Sequence, residues 1–210
     1  FGFVFPLLAP DSPFTSPDFL TWPGWNPATR EQDRATAKRL MAEAGYPNGF
    51  PMGFMCQRTN IPTCEFYDAQ LAGLGIKLNL QLVDGAGWQE GRQTLNYESQ
   101  NGNVAARSSV IPEQSDQEMG PFSLAKFNVA KHEDRKVSEF FDRLRFATTF
   151  DQRVKVWREL ERYYLLEQVY VAPLRGDVSV IPYRSYVKGV FVSGEDVQNN
   201  TDFAAVWLEK

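Results

Sequence analysis

Carboxylates are the most abundant side chains in this sequence that are able to carry out catalysis. Three of them, Glu113, Asp116 and Glu118, lie close together in a polar stretch in the middle of the chain. A glycoside hydrolase needs two carboxyl groups at a fixed separation across the sugar. Acidic residues in a polar loop are more often solvated than catalytic. We therefore expect no enzymatic activity, with a carboxylate-based hydrolase as the alternative.

The sequence contains two cysteines and one histidine. Cys56 and Cys64 are badly spaced for zinc and enclose a short loop that contains a proline. They form either two buried thiols or a disulfide, which would stabilise the fold by about 2.5 kcal/mol through loop entropy. His132 lies among charged residues and is predicted to be a solvated surface side chain. One histidine gives little basis for a catalytic triad, and we expect neither a metal site nor a cofactor.

Composition and charge limit the class of protein. The 210 residues are 43% hydrophobic and 14% aromatic, which is enough to bury a core. The formal net charge of −4 argues against nucleic acid as a partner, because phosphate binding needs a basic surface. No apolar run approaches the roughly 18 residues of a transmembrane helix. The chain opens on Phe1 without an intact signal peptide, so we expect a processed or partial product.

The periodicity of the first half predicts α/β structure. Prolines and aromatics over residues 1–26 favour an extended strap. Helices are predicted at about 29–44 and 62–74, and strands at 50–56 and 76–82. Strand, helix and strand within about 35 residues form a right-handed crossover. The glycines of 85–87 are predicted to make a turn, because no Lys-Ser/Thr follows them as in a phosphate loop.

The second half begins with a predicted strand at 104–106 and an irregular loop over 108–120. Two amphipathic helices follow. Their apolar positions run from Val137 to Leu144 and from Trp157 to Tyr164. Further strands are predicted at 169–174, 178–181, 187–192 and 203–208.

Three segments of the sequence have a familiar order. Ala37–Phe50 reads AKRLMAEAGYPNGF, and Gln70–Leu80 reads QLAGLGIKLNL. The third begins at Asp151–Arg153 and ends at Ala172–Leu174, with Val187–Val190 after it. Together these segments resemble the family-five solute-binding proteins, which are the extracytoplasmic receptors of peptide, nickel and oligosaccharide ABC importers.

The resemblance implies a periplasmic-binding-protein type II-like lobe, in which helices flank a mixed sheet, with a strand-rich C-terminal tail. It implies a strap over residues 1–26, a ligand-binding lobe over 27–175 and a tail over 176–210. In the family that tail crosses back to a first lobe. We expect this chain to be the C-terminal portion of such a receptor, with the first lobe missing.

The resemblance also places ligand-binding residues in the segment 104–120, which faces the cleft between the lobes in the family. The candidates there are Arg107, Ser108, Ser109 and Glu113. Arg107 either pairs with a ligand carboxylate or forms a structural ion pair. Its neighbours Ser108 and Ser109 would hydrogen-bond the ligand beside it.

One departure from the family bears on the ligand. Peptide-binding members generally carry an aspartate early in this segment, whereas here no acid precedes Glu113. An oligosaccharide therefore becomes an alternative to a peptide. Trp88 is then a candidate sugar platform together with Trp22 and Trp25, although packing in the core or strap is the alternative for each of them.

The expected function is that of a substrate-binding component of an ABC importer. Such a protein captures a peptide or similar small solute between two lobes and delivers it to the membrane permease. The expected partners are the solute, the permease and the missing N-terminal lobe, and the expected location is periplasmic or otherwise extracytoplasmic. An oligosaccharide receptor of the same family is the alternative.

Overall fold

The computed structural model describes residues 7–8, 12–101, 112–125, 127–173, 182–190 and 203–209. The chain divides into two compact units, and each is described by itself. Unit A contains residues 18–103, and unit B contains the described residues of 1–17 and 104–210. Helices and a sheet confirm the predicted α/β class. The expected strap, lobe and tail boundaries at 1–26, 27–175 and 176–210 stay a prediction.

The described residues of unit A form three α-helices and three strands, besides short 3-10 turns. In chain order they are α1 (Arg30–Glu43), β1 (Pro51–Gln57), α2 (Ile61–Ala72), β2 (Lys77–Val83), α3 (Gly85–Thr94) and β3 (Ser99–Gln100). The predicted helices at 29–44 and 62–74 and strands at 50–56 and 76–82 are confirmed to within two residues at each end. No residue of α1 is buried, and Leu40 on its apolar stripe is 53% exposed.

The three strands form a parallel sheet in the order β2-β1-β3. Pro51 lies opposite Lys77 at the start of the β1–β2 ladder, and Phe54 lies opposite Ser99 in the β1–β3 ladder. The sequence did not predict β3. The strand expected at 104–106 lies outside the described residues.

A contact between two glycines sets where β1 and β2 begin. Gly49 has a φ of +80°, and a Cβ built on it would lie 2.0 Å from the carbonyl oxygen of Gly75. Only a glycine allows the two backbones to approach so closely. Just beyond this contact, the Lys77 amide donates to the Phe50 carbonyl at 3.1 Å, which opens the ladder in register.

A disulfide between Cys56 and Cys64 ties β1 to α2. Both residues are fully buried and pack with Phe54, Tyr67 and Leu78 in the core between the sheet and α2. The prediction that the two cysteines lie together, at a strand end and a helix start, is confirmed. The alternative of two free thiols is excluded, because both sulfurs are bonded.

The prediction of a turn at residues 85–87 was wrong, because these residues form the first turn of α3. The Asp84 carboxylate accepts a hydrogen bond from the Gly87 amide at 2.8 Å and so caps the helix. A cap offsets the low helix propensity of the glycines. Gly91 in the same helix is buried, and a Cβ there would lie 2.6 Å from the Met55 sulfur. The glycines thus let α3 pack closely on the sheet.

Unit B is built around two predicted helices, α5 (Arg135–Phe146) and α6 (Phe150–Arg162). In the described part of the loop expected at 108–120, the chain forms a 3-10 turn at Pro112–Ser115 and a short helix, α4 (Asp116–Met119). Thr149 and Gln152 form a capping box at the start of α6. The described core of this unit includes Phe14, Val137, Phe141, Leu144, Trp157, Leu160 and Tyr164.

The predicted strand at 169–174 was wrong. The helical chain continues beyond α6 through a π-helical turn at Tyr163–Glu167, and Val169 then adopts a φ of +52°. This left-handed residue interrupts the extended conformation that a strand requires. Of the later predicted strands, β4 (Val187–Lys188) pairs antiparallel with β5 (Trp207–Leu208), whereas the strand at 178–181 lies outside the described residues.

A buried carboxylate holds the N-terminal segment of unit B. Glu161 on α6 is 0% exposed and accepts hydrogen bonds from the amides of Leu7 and Ser16, at 3.3 and 3.0 Å. The pKa of its carboxyl group is raised by burial, although these hydrogen bonds and the nearby Arg158 act in the opposite direction. Arg158 also donates to the Pro13 carbonyl at 2.9 Å. Two side chains of one helix therefore bind the backbone of this segment.

We predict that reduction of the disulfide lowers the free energy of unfolding by about 2.5 kcal/mol, because the reduced unfolded chain regains the entropy of the closed loop. Urea denaturation followed by circular dichroism, with and without a phosphine reductant, measures the change. A Cys56→Ala/Cys64→Ala variant is the control, and its free energy of unfolding is expected to be the same with and without the reductant. Identical unfolding midpoints for the oxidised and reduced chain would contradict the prediction.

Candidate ligand-binding site at the carboxyl ends of the parallel strands

The strand order of unit A defines a site by topology. The chain passes from β1 to β2 on one side and then returns to place β3 on the other side of β1. In open parallel sheets, ligands bind outside the carboxyl ends of the strands at the point where the strand order reverses. That point in unit A lies at the ends of β1 and β3.

The residues that follow each strand end line this edge. Gln57 ends β1, and a 3-10 turn at Arg58–Asn60 leads from it into α2. Gln100 ends β3 and is followed by Asn101. A Cβ on Gly85, at the start of α3, would lie 3.5 Å from the Gln57 amide nitrogen, so the Gln57 side chain extends toward the start of α3.

Arg58 is the cation at this edge. Its side chain is exposed, and no acidic side chain in the described ranges forms an ion pair with it. It precedes the N-terminus of α2, whose backbone N–H groups carry a partial positive charge. A guanidinium in such a position can bind a carboxylate through two parallel hydrogen bonds. Sequence reasoning missed Arg58, although a charged residue directly after a buried strand was a usable signal.

The two cysteines of the disulfide flank Arg58 in the sequence. Cys56 is two residues before it in β1, and Cys64 is in the first turns of α2. The crosslink therefore closes the loop that carries Arg58 and Asn60. A closed loop has fewer conformations than an open one, so the side chains at this edge are held in place before any ligand arrives.

Trp88, one of the predicted ligand-binding residues, lies on α3 and is half-buried. The Arg92 guanidinium lies over its ring, 4.5 Å from the ring centre. One face of the indole is thus occupied by a cation of the protein itself. Burial raises the pKa of the nearby Tyr97 hydroxyl, and the charge of Arg92 opposes this shift. The ligand-binding role of Trp88 stays a prediction.

The other two tryptophans considered as sugar platforms form an aromatic cluster in unit A. Trp22 is only 3% exposed and meets the edge of the Trp25 ring at 6.2 Å between ring centres. Phe19 contacts Trp25 in the same edge-to-face manner at 6.1 Å. Packing is therefore the role that the structure gives to Trp22.

Glu113, the predicted ligand-binding acid, lies in unit B. Arg153 binds both of its carboxylate oxygens, through Nε and a terminal nitrogen, at 2.7 Å each. These hydrogen bonds raise the pKa of Arg153, and burial opposes them. Arg107, Ser108 and Ser109 lie outside the described residues. For all four residues, ligand binding stays a prediction.

The other two carboxylates considered for catalysis have separate environments. Asp116 forms an ion pair with Arg145, and Glu118 is only 6% exposed. In the described ranges, no cluster of three or more His, Cys, Asp and Glu side chains is arranged to hold a metal ion. None of the helices that the structure describes is both long and apolar enough to cross a membrane.

The prediction of a solvated histidine was wrong. His132 is only 8% exposed, because its ring packs against the rings of Tyr164 and Tyr170. The two tyrosines are more than thirty residues further along the chain, so the charged neighbours of His132 in sequence gave no sign of this contact.

We predict that Arg153→Ala lowers the free energy of unfolding by about 1.5–3 kcal/mol, because the partly buried Glu113 carboxylate loses two charged hydrogen bonds. Arg143→Ala is the matched control, since it breaks the more exposed pair with Glu159 and is expected to cost less than about 1 kcal/mol. Chemical denaturation measures both variants. Equal losses in the two would contradict a structural role for the Arg153–Glu113 pair.

Comparison with known proteins gives matches among solved structures but none by sequence family. No family model matches the chain, and no curated protein matches it. Clavulanic acid biosynthesis oligopeptide binding protein 2 is 21% identical, with a TM-score of 0.79 over 100% of this chain and 39% of that one.

Two further structures match in the same way. Haemophilus influenzae OppA, in complex with the peptide RPPGFSPFR, is 18% identical, with a TM-score of 0.72 over 100% of this chain and 41% of that one. DppA from Helicobacter pylori, a periplasmic binding protein in complex with the peptide STSA, is 19% identical, with a TM-score of 0.69 over 99% of this chain and 40% of that one. This chain therefore has the mixed α/β fold of solute-binding proteins and spans about two fifths of the length of those it matches.

Proposed function

We propose that this chain is the ligand-binding lobe of an extracytoplasmic substrate-binding protein of an ABC importer. It binds a peptide or similar small solute and passes it to a permease in the membrane. The proposal is supported by the likeness in fold, which extends over nearly the whole chain, to proteins described as oligopeptide-binding and periplasmic.

The observation that carries the proposal is the exposed Arg58 at the carboxyl end of β1. A peptide presents a terminal carboxylate, and a guanidinium binds such a group bidentately. The site meets this group with a cation that has no acidic partner in the described part of the chain. The N-terminus of α2 adds to the positive potential there.

The remaining length of the matched proteins leads to a second part of the proposal. A first lobe, supplied by an N-terminal portion of the same receptor, closes over this one and completes the cleft. Exclusion of water by closure strengthens the pairing between Arg58 and an anionic ligand group. The buried Cys56–Cys64 disulfide fits an oxidising compartment outside the cytoplasm.

A non-catalytic role is favoured for the acidic residues of unit B. Arg153 and Arg145 form ion pairs with Glu113 and Asp116, and carboxylates held in this way are poorly placed to act as a general acid or base. A panel of short peptides, oligosaccharides and nickel in a thermal-shift assay, run beside chromogenic glycosides and peptides, tests this role. Saturable stabilisation by peptides without turnover is expected. Stabilisation by sugars alone would make the chain an oligosaccharide receptor, and turnover would make it a hydrolase.

We predict that Arg58→Ala weakens the binding of trialanine by about 10- to 150-fold, the equivalent of about 1.5–3 kcal/mol for a charged hydrogen bond. Trialanine amide lacks the carboxylate and is expected to bind the variant and the parent chain equally. Calorimetric titration measures both peptides. Arg39→Ala, on the exposed surface of α1, is the control and is expected to change neither affinity. Equal binding of trialanine by the Arg58 variant and the parent would exclude the proposed carboxylate contact.

We predict a similar loss for Arg107→Ala in the receptor that carries both lobes, about 1.5–3 kcal/mol of binding free energy, with a nearly unchanged melting temperature. A cation whose pairing partner is a ligand group makes few contacts within its own lobe, so its removal costs little stability. A large drop in the melting temperature with intact ligand affinity would instead identify Arg107 as a structural ion-pair residue.

A further inference from the structure

The chain beyond α6 turns back on itself at a strained residue. The π-helical turn at Tyr163–Glu167 ends this helical stretch, and Val169 then adopts a φ of +52°. A β-branched residue in the left-handed region is rare, and it persists only where surrounding contacts hold it there. Here the Tyr170 amide donates to the Tyr164 carbonyl at 3.1 Å, immediately after Val169.

Tyr170 is held by two further contacts in unit B. Its ring stacks on His132, with ring centres 4.0 Å apart and planes inclined by 24°. Its hydroxyl donates to the Asp134 carboxylate at 2.9 Å. Burial and this hydrogen bond raise the pKa of Tyr170 to about 12, so the hydroxyl keeps its proton. Tyr170 therefore fastens residues 169–173 to the start of α5.

Asp134 is the shared anchor of this arrangement. The oxygen that binds Tyr170 also accepts from the Tyr163 hydroxyl at 2.6 Å, and the other oxygen accepts from the Lys136 amide at 2.9 Å and caps α5. Burial acts to raise the pKa of Asp134, but these hydrogen bonds outweigh it and leave the pKa lowered. The anchor thus stays ionised while a neighbouring histidine titrates.

The contacts of His132 require the neutral form of its ring. Its Nδ1 accepts a hydrogen bond from the Asp134 amide at 3.3 Å, so this nitrogen carries no proton. Protonation of Nδ1 would place two N–H groups against each other, next to the Tyr170 ring. Burial lowers the pKa of His132, although the Met119 backbone and the charges of Asp134 and Glu133 oppose this.

We propose that His132 and Tyr170 form a pH-sensitive latch, in which protonation of His132 releases Tyr170 and frees residues 169–173 from the start of α5. The sign follows from linkage. A histidine that is neutral in the closed latch supports it fully above its ordinary pKa of about 6.5. The support is lost as the pH falls below that value, because the open latch takes up a proton. Relief of the strain at Val169 favours release in the same direction.

Several other charged groups surround the latch. Lys131 and Glu133 flank His132 in its loop, Lys136 on α5 lies 4.0 Å from the Tyr163 ring centre, and Glu167 belongs to the π-helical turn. Burial lowers the pKa of Lys131, and the hydrogen bond to Asp134 raises the pKa of Tyr163, with a smaller contribution from Glu167. Glu133 is the acid next to His132. A variant with a neutral residue at position 133 distinguishes a pH dependence that comes from the glutamate from one that comes from the histidine.

Hydrogen exchange at the Tyr170 amide, read by NMR between pH 7.5 and 5.5 and corrected for intrinsic exchange, tests the latch. We expect constant protection above about pH 6.5 and a loss of up to tenfold per pH unit below it. Since the chain contains one histidine, its Cε1–H resonance reports the same titration without overlap. His132→Asn keeps an acceptor toward the Asp134 amide without a titrating group. In this variant the protection of the Tyr170 amide against exchange is expected to be independent of pH. Glu133→Gln is the matched control and is expected to keep the parent slope.

A second variant keeps the test decisive if His132→Asn fails to fold. Tyr170→Phe retains the ring but loses the bond to Asp134, which weakens the closed latch. By reciprocity of coupled equilibria, the histidine midpoint then moves up toward about 6.5. An unchanged midpoint, a flat profile in the parent or a slope that persists in His132→Asn would each overturn the proposal. A parallel loss of protection throughout α5 would overturn it as well, since the unit would then be unfolding as a whole.

Discussion

The parallel pairing of β1 with a strand on each side is the constraint on which unit A depends. It brings the ends of β1 and β3 together at the point where the strand order reverses. The close contact of Gly49 with Gly75 starts the longer ladder, and the buried disulfide fastens the far end of β1 to α2. These two features act at opposite ends of β1: the glycine contact fixes where its ladder with β2 begins, and the disulfide holds the end that leads to Arg58. Arg58 and its neighbours are therefore presented by backbone geometry rather than by a flexible loop.

The elements with a clear period were predictable from sequence, because their periods reflect which faces are buried. The alternation of Leu78 and Leu80 with Lys77 and Asn79 marks a strand, and the helices with apolar stripes were found in the same way. Helix α3 escaped prediction because its glycines have poor helix propensity. The Asp84 cap and the close packing of Gly91 on Met55 decide its structure, and a local pattern does not reveal that packing.

The candidate site was only partly predictable for a related reason. Arg107, Ser108, Ser109, Glu113 and Trp88 came from a resemblance in sequence, which identifies position along the chain and not the partner of each side chain. The pairing of Glu113 with Arg153 spans forty residues, and the stacking of His132 on Tyr170 spans nearly as many. Such contacts depend on how helices pack, which residue spacing alone does not determine. Arg58 directly follows a buried strand, which was a usable signal, but the strand order was needed to show that this strand ends at the candidate site.

Unit B uses carboxylates to hold irregular backbone. The buried Glu161 binds two amides of the N-terminal segment from one helix, and the half-buried Asp134 binds two tyrosine hydroxyls at the start of another. Removing a carboxylate from water is costly unless it is hydrogen-bonded, so each one favours a single path for the part of the chain that it binds. The same property makes such sites sensitive to protonation, as the arrangement around His132 illustrates.

The central claim is that the carboxyl ends of β1 and β3 form the ligand-binding edge. The most direct measurement is a titration of the isotope-labelled chain with trialanine, following the backbone amide resonances of every residue. The claim predicts that the largest shifts occur at Gln57–Asn60 and Asn101, with smaller shifts toward Trp88. Saturable shifts confined to other surfaces, with the resonances of Gln57–Asn60 unmoved, would contradict it.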